Sequence, residues 1–169
     1  MVAALAIALA ACSSSSDEPE DTGSAASPAC PGEECITINT EEGAFVFTAE
    51  WAVDPAARSC GLMYRTEMAE DHGMVFDFQT ERPASFWMRN TYISLDMVFI
   101  EEDGTVLNIA TYTVPLSLEG VPSDGPVRYV LEVVAGTADR IGLEAGDFID
   151  LERPPGVTEG TATCGTPPE

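Results

Sequence analysis

Residues 92–100 read YISLDMVFI, and this stretch decides the class of fold. Apolar side chains occupy every second position from Ile93 to Phe99, which is the period of a β-strand. The turn Glu102-Asp103-Gly104 follows, so residues 105–112 are predicted to return as the partner strand of a hairpin. The centre of the chain is therefore predicted to be antiparallel β-structure.

Further strands are predicted on both sides of this hairpin, over residues 44–53, 73–78, 84–88, 127–134 and 148–151. A short helix is expected after the N-cap Asp54 and Pro55, ending at Gly61, and a single helical turn over 135–141. The Pro, Ser and Gly content of residues 113–126 predicts a loop. About seven short strands with one or two short helices predict a mainly β fold, a compact barrel or sandwich.

The amino terminus is a short apolar run, residues 1–11, that ends in Leu-Ala-Ala directly before Cys12. Such a run is too short to span a bilayer as a helix and is typical of the core of a signal peptide. The tetrapeptide ending at Cys12 resembles the lipobox of bacterial lipoproteins, although no Lys or Arg precedes the apolar run. We therefore expect export, lipidation of Cys12 and attachment to the cell envelope. Ser13, in place of Asp, favours the outer membrane facing the periplasm.

The rest of the chain divides into three regions. Residues 12–35 are rich in Ser and acidic side chains and are predicted to form a flexible tether. Residues 36–153 are predicted to form the β-rich domain, and the Pro-, Gly- and Thr-rich residues 154–169 a tail.

Four cysteines remain after Cys12, namely Cys30, Cys35, Cys60 and Cys164. An even number in an exported chain predicts two disulfides, for which three connectivities are possible. A local Cys30–Cys35 bridge is favoured because a turn-forming segment separates the two, which would leave Cys60 to pair with Cys164. A zinc site is the alternative, but this spacing is poor for a metal, and no metal or cofactor is expected.

The charge balance is strongly acidic, with 29 Asp and Glu against 7 Lys and Arg and a net charge of -22. Nucleic acid would be repelled and is excluded as the partner, and the only membrane attachment expected is through the lipid on Cys12. All basic residues are Arg, which favours bidentate pairing with carboxylates. A monomer is expected.

Two carboxylates, Asp96 and Glu132, lie within apolar strands, where an unpaired charge is costly. They are candidates for an acid/base pair or for ligand-binding groups, with Arg65 and Asn90 orienting the ligand. The alternative is structural and is favoured. In it, Arg65 or Arg58 neutralises Glu132, while Asp96 accepts hydrogen bonds from the turn at residues 90–91.

The segment Phe86-Trp87-Met88 precedes the polar turn Arg89-Asn90-Thr91. An outward-facing Trp87 beside Asn90 would suit stacking on a sugar ring or another planar ligand, whereas the alternative for these strand residues is core packing.

Methionines and the single His72 raise the possibility of a copper site, but ordinary core packing is favoured for the methionines. No P-loop, GxGxxG or GxSxG motif is present, and these absences favour a binding module over an enzyme.

Several segments together resemble domain-of-unknown-function family 192. They are RSCGLMYR at 58–65, GMVFDF at 73–78, FWMRNT at 86–91, LDMVFI at 95–100 and YVLE at 129–132 with Gly136. The resemblance covers roughly Phe45 to Leu151 and implies a compact, jelly-roll-like β domain that is often exported and has no established activity. Cys60 departs from the family pattern and suggests a local disulfide.

We therefore expect an envelope-tethered binding module for a small polar or carbohydrate-like ligand or an envelope component. Its predicted site comprises Arg65, Trp87, Asn90, Asp96 and Glu132. Two alternatives remain at this point: a hydrolase or lyase that uses Asp96 and Glu132 as acid and base, and a structural or assembly accessory without a small-molecule site.

Overall fold

The computed structural model describes residues 35–151 and 162–167. Its elements are β1 (Cys35–Thr40), β2 (Gly43–Ala52), α1 (Pro55–Cys60), β3 (His72–Phe86), β4 (Leu95–Ile100), β5 (Val106–Ala110), β6 (Val121–Val134), α2 (Thr137–Ile141) and β7 (Phe148–Asp150). The predicted mainly β fold with two short helices is confirmed. The predicted signal peptide, Cys12, Cys30 and most of the tether lie outside the described residues. Neither helix in the described ranges is long and apolar enough to cross a membrane.

The seven strands form one curled sheet in the order β5-β4-β6-β3-β2-β1-β7. Its two edge strands approach each other, because Thr105 and Phe148 form an antiparallel bridge and Ile149 N donates to Gly104 O at 2.9 Å. Gly104 has a φ of +95°, and a Cβ there would lie only 2.6 Å from the carbonyl oxygen of Ile149. This position therefore requires glycine for the edges to meet.

Apolar residues cover both faces of the sheet. One cluster contains Trp51, Val98 and Leu131, and the other contains Phe76 and Met97. All six residues of β4 are buried, so this central strand is covered on both sides. A polar group on β4, or on β6 beside it, must find a partner within the protein or stay uncharged.

The strands β2 and β3 pair in parallel, although every other pairing of the sheet is antiparallel. Parallel neighbours require a crossover, and α1 lies on it. The helix begins as predicted, since Asp54 Oδ1 accepts hydrogen bonds from Ala56 N and Ala57 N at 2.8 and 2.9 Å. It ends at Gly61, whose φ is +51°.

Several predicted element boundaries were wrong. Residues 73–78 and 84–88 belong largely to one long strand, β3, whose pairing with β6 shifts register between Asp77 and Arg82 and between Pro83 and Ser85. The second half of the predicted loop 113–126 is instead the start of β6. The prolines of this stretch are tolerated inside the strand because its pairing with β3 is irregular there. The strand predicted from residue 92 begins at Leu95, and β1 was not predicted.

Cys60 and Cys164 form a disulfide with a Cα–Cα distance of 5.7 Å, as predicted. The described part of the tail also returns to the sheet, where Ala162 N donates to Trp51 O at 3.2 Å. Cys35 is disulfide-bonded and lies in β1 rather than in the tether, while its predicted partner Cys30 lies outside the described residues.

Replacing both Cys60 and Cys164 by Ser should lower the free energy of unfolding by about 2–5 kcal/mol, because the bridge closes a loop of 104 residues. Denaturant unfolding of the variant and the wild type under oxidising conditions measures the difference. A non-reducing digest of the wild type should release one peptide pair joined through these cysteines. Equal unfolding midpoints would contradict a stabilising role.

Candidate functional site

A cleft of about 390 Å³ opens between α1 and the C-terminal half of β3. Its lining comprises Pro55, Arg58, Ser59, Phe78, Arg82, Pro83, Ala84, Ser85, Phe86 and Trp87. A second, narrower cavity of about 40 Å³ shares Arg58, Phe86 and Trp87 with this cleft and also contacts Arg89 and Glu132. We call the first the outer cleft and the second the inner cavity.

Arg58 lies at the junction of the two spaces. Its Nη1 donates to Asp77 O at 3.0 Å and to Val53 O, so main-chain carbonyls hold the side chain in place. A guanidinium has five N–H donors, and both of these bonds use Nη1. The Nε and Nη2 groups can therefore still donate to a ligand.

Arg82 and Arg89 extend the positive charge along the same side of the molecule. The Arg82 guanidinium carbon lies 4.2 Å from the centre of the Phe78 ring, and that of Arg89 lies 5.5 Å from the Trp87 ring. Within the described ranges neither arginine forms a salt bridge, although the chain carries 29 acidic residues. These arginines therefore make a local positive surface on a strongly negative protein.

The structure settles the facing of residues 86–88, which the sequence left open between an outward Trp87 and core packing. Met88 is buried and Phe86 packs edge-to-face on Phe76 with a centroid distance of 4.9 Å. Trp87 is 49% exposed and borders both the outer cleft and the inner cavity. Its exposed ring surface can therefore stack on a ligand.

Glu132 lies at the inner cavity and is only 4% exposed. Its carboxyl group has no hydrogen-bond or ion-pair partner among the described residues, and burial raises its pKa from 4.5 to about 8. The prediction that Arg65 or Arg58 neutralises it was wrong. Arg58 shares the cavity but bonds main-chain carbonyls, and Arg65 pairs elsewhere. The carboxyl is therefore mostly protonated at neutral pH.

Arg65 binds Glu50 through two hydrogen bonds, of 2.5 Å from Nη1 and 2.7 Å from Nη2. His72 Nε2 lies 2.9 Å from the same carboxylate. Burial acts to raise the pKa of Glu50, but the hydrogen bonds and charges of Arg65 and His72 outweigh it and hold the pKa below its ordinary value. Arg65 lines neither cavity, so the structure does not bring it to Trp87 and Glu132.

Asp96 is fully buried on the opposite face of the sheet from Glu132. In the register of β4 and β6, Asp96 pairs with Val133, and Glu132 pairs with Met97, whose side chain belongs to the other core cluster. Asp96 accepts hydrogen bonds from Tyr112 N at 2.9 Å and Ala138 N at 3.0 Å, not from the turn at residues 90–91 as expected. The two carboxyl groups therefore do not share a cleft.

Asn90 holds two turns together beside the inner cavity. It adopts a φ of +56°, a conformation that Asn tolerates well. Its Nδ2 donates to Tyr64 Oη at 2.9 Å, and Asn90 O accepts from Tyr64 N at 2.7 Å. This residue therefore fixes the 88–91 turn rather than facing the outer cleft.

Methionines raised as copper ligands pack as ordinary core residues, whereas His72 does not. Met74, Met88 and Met97 are buried in one core cluster, while His72 is held by Glu50. No group of three or more His, Cys, Asp or Glu side chains within residues 35–151 and 162–167 could hold a metal ion.

The convergence of Arg58, Arg82 and Arg89 was not predicted from the sequence. Each stands within a few residues of an aromatic side chain or a turn, but they lie on separate segments of the chain. Only the crossover that carries α1 and the register of β3 bring them to the same side of the molecule. The lack of Lys predicted bidentate pairing with carboxylates, whereas none of these three arginines forms a salt bridge within the described residues.

Comparisons with known proteins place this geometry in a family. The model of the DUF192 family, described as "Uncharacterized ACR", matches residues 36–151. A solved structure from Sinorhizobium meliloti 1021, provisionally named a transcription regulator, is 43% identical with a TM-score of 0.68, covering 80% of this chain and 98% of that one. A protein of unknown function from Novosphingobium aromaticivorans DSM 12444 is 38% identical with a TM-score of 0.67, covering 75% and 94%. No curated protein matches the chain.

Glu132→Gln should stabilise the protein, and increasingly so as the pH rises from about 4.5 to about 8. The folded state holds the Glu132 proton more tightly than the unfolded state, so wild-type stability falls across this window. Each pH unit contributes about 1.4 kcal/mol. The difference in unfolding free energy between the variant and the wild type, the gap, should therefore reach a few kcal/mol near pH 8. Thermal unfolding of both proteins at a series of pH values measures the gap.

Glu50→Gln is the matched control, because the pKa of Glu50 is shifted in the opposite direction. This variant should be less stable than the wild type at neutral pH, and the difference should shrink as the pH falls below about 4.5, the ordinary value. A pH-independent effect of Glu132→Gln would contradict a buried, neutral carboxyl.

Asp96→Asn should lower the free energy of unfolding by about 1–3 kcal/mol, because Tyr112 N and Ala138 N bond different carboxylate oxygens and the amide nitrogen that replaces one of them cannot accept. Denaturant unfolding measures the loss. The control is Asp124→Asn, which alters an exposed carboxylate on β6 and should change stability by less than about 0.5 kcal/mol. Equal effects of the two changes would exclude a structural role specific to Asp96.

Proposed function

The chain belongs to the DUF192 family, a family of unknown function, and we propose from its own geometry that it is a binding module for a small anionic ligand. The ligand would enter the outer cleft, contact Arg58 and Arg82, and stack on Trp87. This proposal keeps the expectation of a small polar ligand and moves the site away from Arg65, Asn90 and Asp96.

One observation carries the proposal: Arg82 and Arg89 rest on aromatic rings and form no salt bridge within the described part of the chain. Cation–π contacts contribute only about 0.5–1 kcal/mol at exposed sites and leave the N–H groups of the guanidinium available. Guanidinium groups bind carboxylate and phosphate with two parallel hydrogen bonds. Such groups beside an aromatic wall suit an anion attached to a ring.

Nucleic acid is not a candidate for the anion. The net charge of -22 would repel a polyanion at a distance, whereas a small anion can reach a local positive surface. The regulator name of the relative from Sinorhizobium meliloti is therefore not extended to this chain.

We also propose that the module is tethered to the cell envelope by a lipid on Cys12, with the domain facing the periplasm. The apolar run before Cys12 supports this location, and so does the disulfide between Cys60 and Cys164, because disulfides persist in oxidising compartments. Mass spectrometry of the protein from cells would test it through the mass of the acyl chains on the peptide that begins at Cys12.

Thermal unfolding of the full-length chain with glucuronate, benzoate, phosphate and neutral glucose should identify the ligand class. An anion at a hundred times its dissociation constant should stabilise the fold by about 2.7 kcal/mol, whereas glucose should have a smaller effect. Arg82→Gln should weaken this response at least tenfold, because one of the charged donors of the outer cleft is lost.

Arg140→Gln is the control for this experiment. Arg140 is an exposed arginine on α2 that donates to Glu70 O and lines neither cavity. Its replacement should leave the response to anions unchanged. If no anion stabilises the wild type, or if both variants weaken the response equally, the proposed site is wrong.

A further inference from the structure

We propose that the inner cavity is a carboxyl-recognition pocket, in which Glu132 as a neutral acid donates its O–H to the carboxylate of a ring-bearing ligand. Arg58 and Arg89 would supply the positive charge, and the ring would lie on Trp87. This inference rests on the proposed function and narrows its ligand from any small anion to a ring-bearing carboxylic acid.

The size of the inner cavity sets the first limit on its occupant. The cavity measures about 40 Å³, and on this scale a single water needs roughly 10–15 Å³. It therefore has room for about three water-sized atoms, which matches the carbon and two oxygens of a carboxylate. A phosphate group, with five heavy atoms, exceeds this space.

The charges around the inner cavity set the second limit. Two arginines line it, Arg58 from α1 and Arg89 from the 88–91 turn. The strands on either side of β6 place Met74 and Met97 in register with Glu132, so they bring no titratable group to it. Cys60 also lines the cavity but is disulfide-bonded, so it does not titrate.

The protonation of Glu132 decides which ligand fits. An ionised Glu132 would repel a ligand carboxylate at this short distance, whereas a neutral carboxyl group offers one O–H donor. Because burial raises the pKa of Glu132 to about 8, the donor form dominates at neutral pH. A carboxylate held by two arginines and one carboxylic acid has donors for both of its oxygens.

The position of Trp87 extends the argument from the carboxylate to the rest of the ligand. Its side chain lines both the inner cavity and the outer cleft. A ring attached directly to a carboxyl group in the inner cavity would therefore lie against the indole and extend toward Arg82. Aromatic acids and sugar acids share this arrangement of ring and carboxylate, so both belong in the test.

The experiment is isothermal titration of the full-length chain with benzoate and with glucuronate at pH 6.5 and pH 9.5. Phosphate and glucose serve as probes that lack the carboxyl group. The wild type should bind at least one of the two acids at pH 6.5 and lose roughly thirtyfold in affinity at pH 9.5, because Glu132 is ionised there. Far-ultraviolet circular dichroism at both pH values checks that the protein stays folded.

Glu132→Gln is the decisive variant, because the Gln amide donates a hydrogen bond at every pH. It should bind the same acid at pH 6.5 with affinity within a few-fold of the wild type and should keep that affinity at pH 9.5. Arg140→Gln should retain the wild-type pH dependence. Preference for glucuronate over benzoate would identify a sugar acid, and the reverse an aromatic acid.

The outcomes separate this inference from the proposed function. Binding of phosphate in preference to both carboxylic acids would overturn the carboxyl pocket while leaving an anion-binding cleft. A Glu132→Gln variant with the same pH dependence as the wild type would also overturn it. If neither variant nor wild type binds any of the anions at either pH, both proposals fail.

Discussion

The central strands β4 and β6 lie between two apolar clusters, and this burial constrains every polar side chain that they carry. Asp96 meets the constraint because two main-chain N–H groups, from Tyr112 and Ala138, approach it within the core. Glu132 meets it differently, by remaining protonated at the end of a small cavity. The same physical requirement thus ties one carboxylate to the start of α2 and keeps the other uncharged at the inner cavity.

The candidate site also depends on the single parallel pairing of the sheet. Two neighbouring strands that run in the same direction need a connection that crosses over, and α1 sits on that connection. The crossover carries Arg58 to the side of β3 and holds it there through two carbonyl oxygens. The disulfide of Cys60 then fastens the end of the same helix to the C-terminal segment. The position of Arg58 at the outer cleft therefore depends on the topology of the sheet and not on one local sequence motif.

Local rules predicted the local features well. The N-cap Asp54, the stop at Gly61 and the turn at residues 102–104 all follow from residue chemistry within a few positions, whereas the facing of Trp87 was left open. The distant Cys60–Cys164 disulfide was predicted, but the partners of the buried carboxylates were not. Glu132 was assigned to Arg65 or Arg58, which bind Glu50 and main-chain carbonyls instead, and Asp96 to a turn that does not contact it. Such pairs depend on strand register and on the crossover, which no periodicity in the sequence specifies. The length of β3 was underestimated for a related reason, since its partner β6 stabilises the irregular stretch between Asp77 and Ser85.

The first and last strands of the domain are neighbours, with Ile38 opposite Ile149, and this has a consequence for the time at which the chain can fold. While the C-terminal segment is still missing, β1 lacks one of its partners and the edges of the sheet cannot meet at Thr105 and Phe148. Pairings this distant in sequence are formed slowly, because a long loop must close before they contribute. The domain can therefore complete its structure only after β7 has become available to pair with β1. For a domain that faces the periplasm, as proposed here, late completion would keep the polypeptide unfolded while it crosses the membrane.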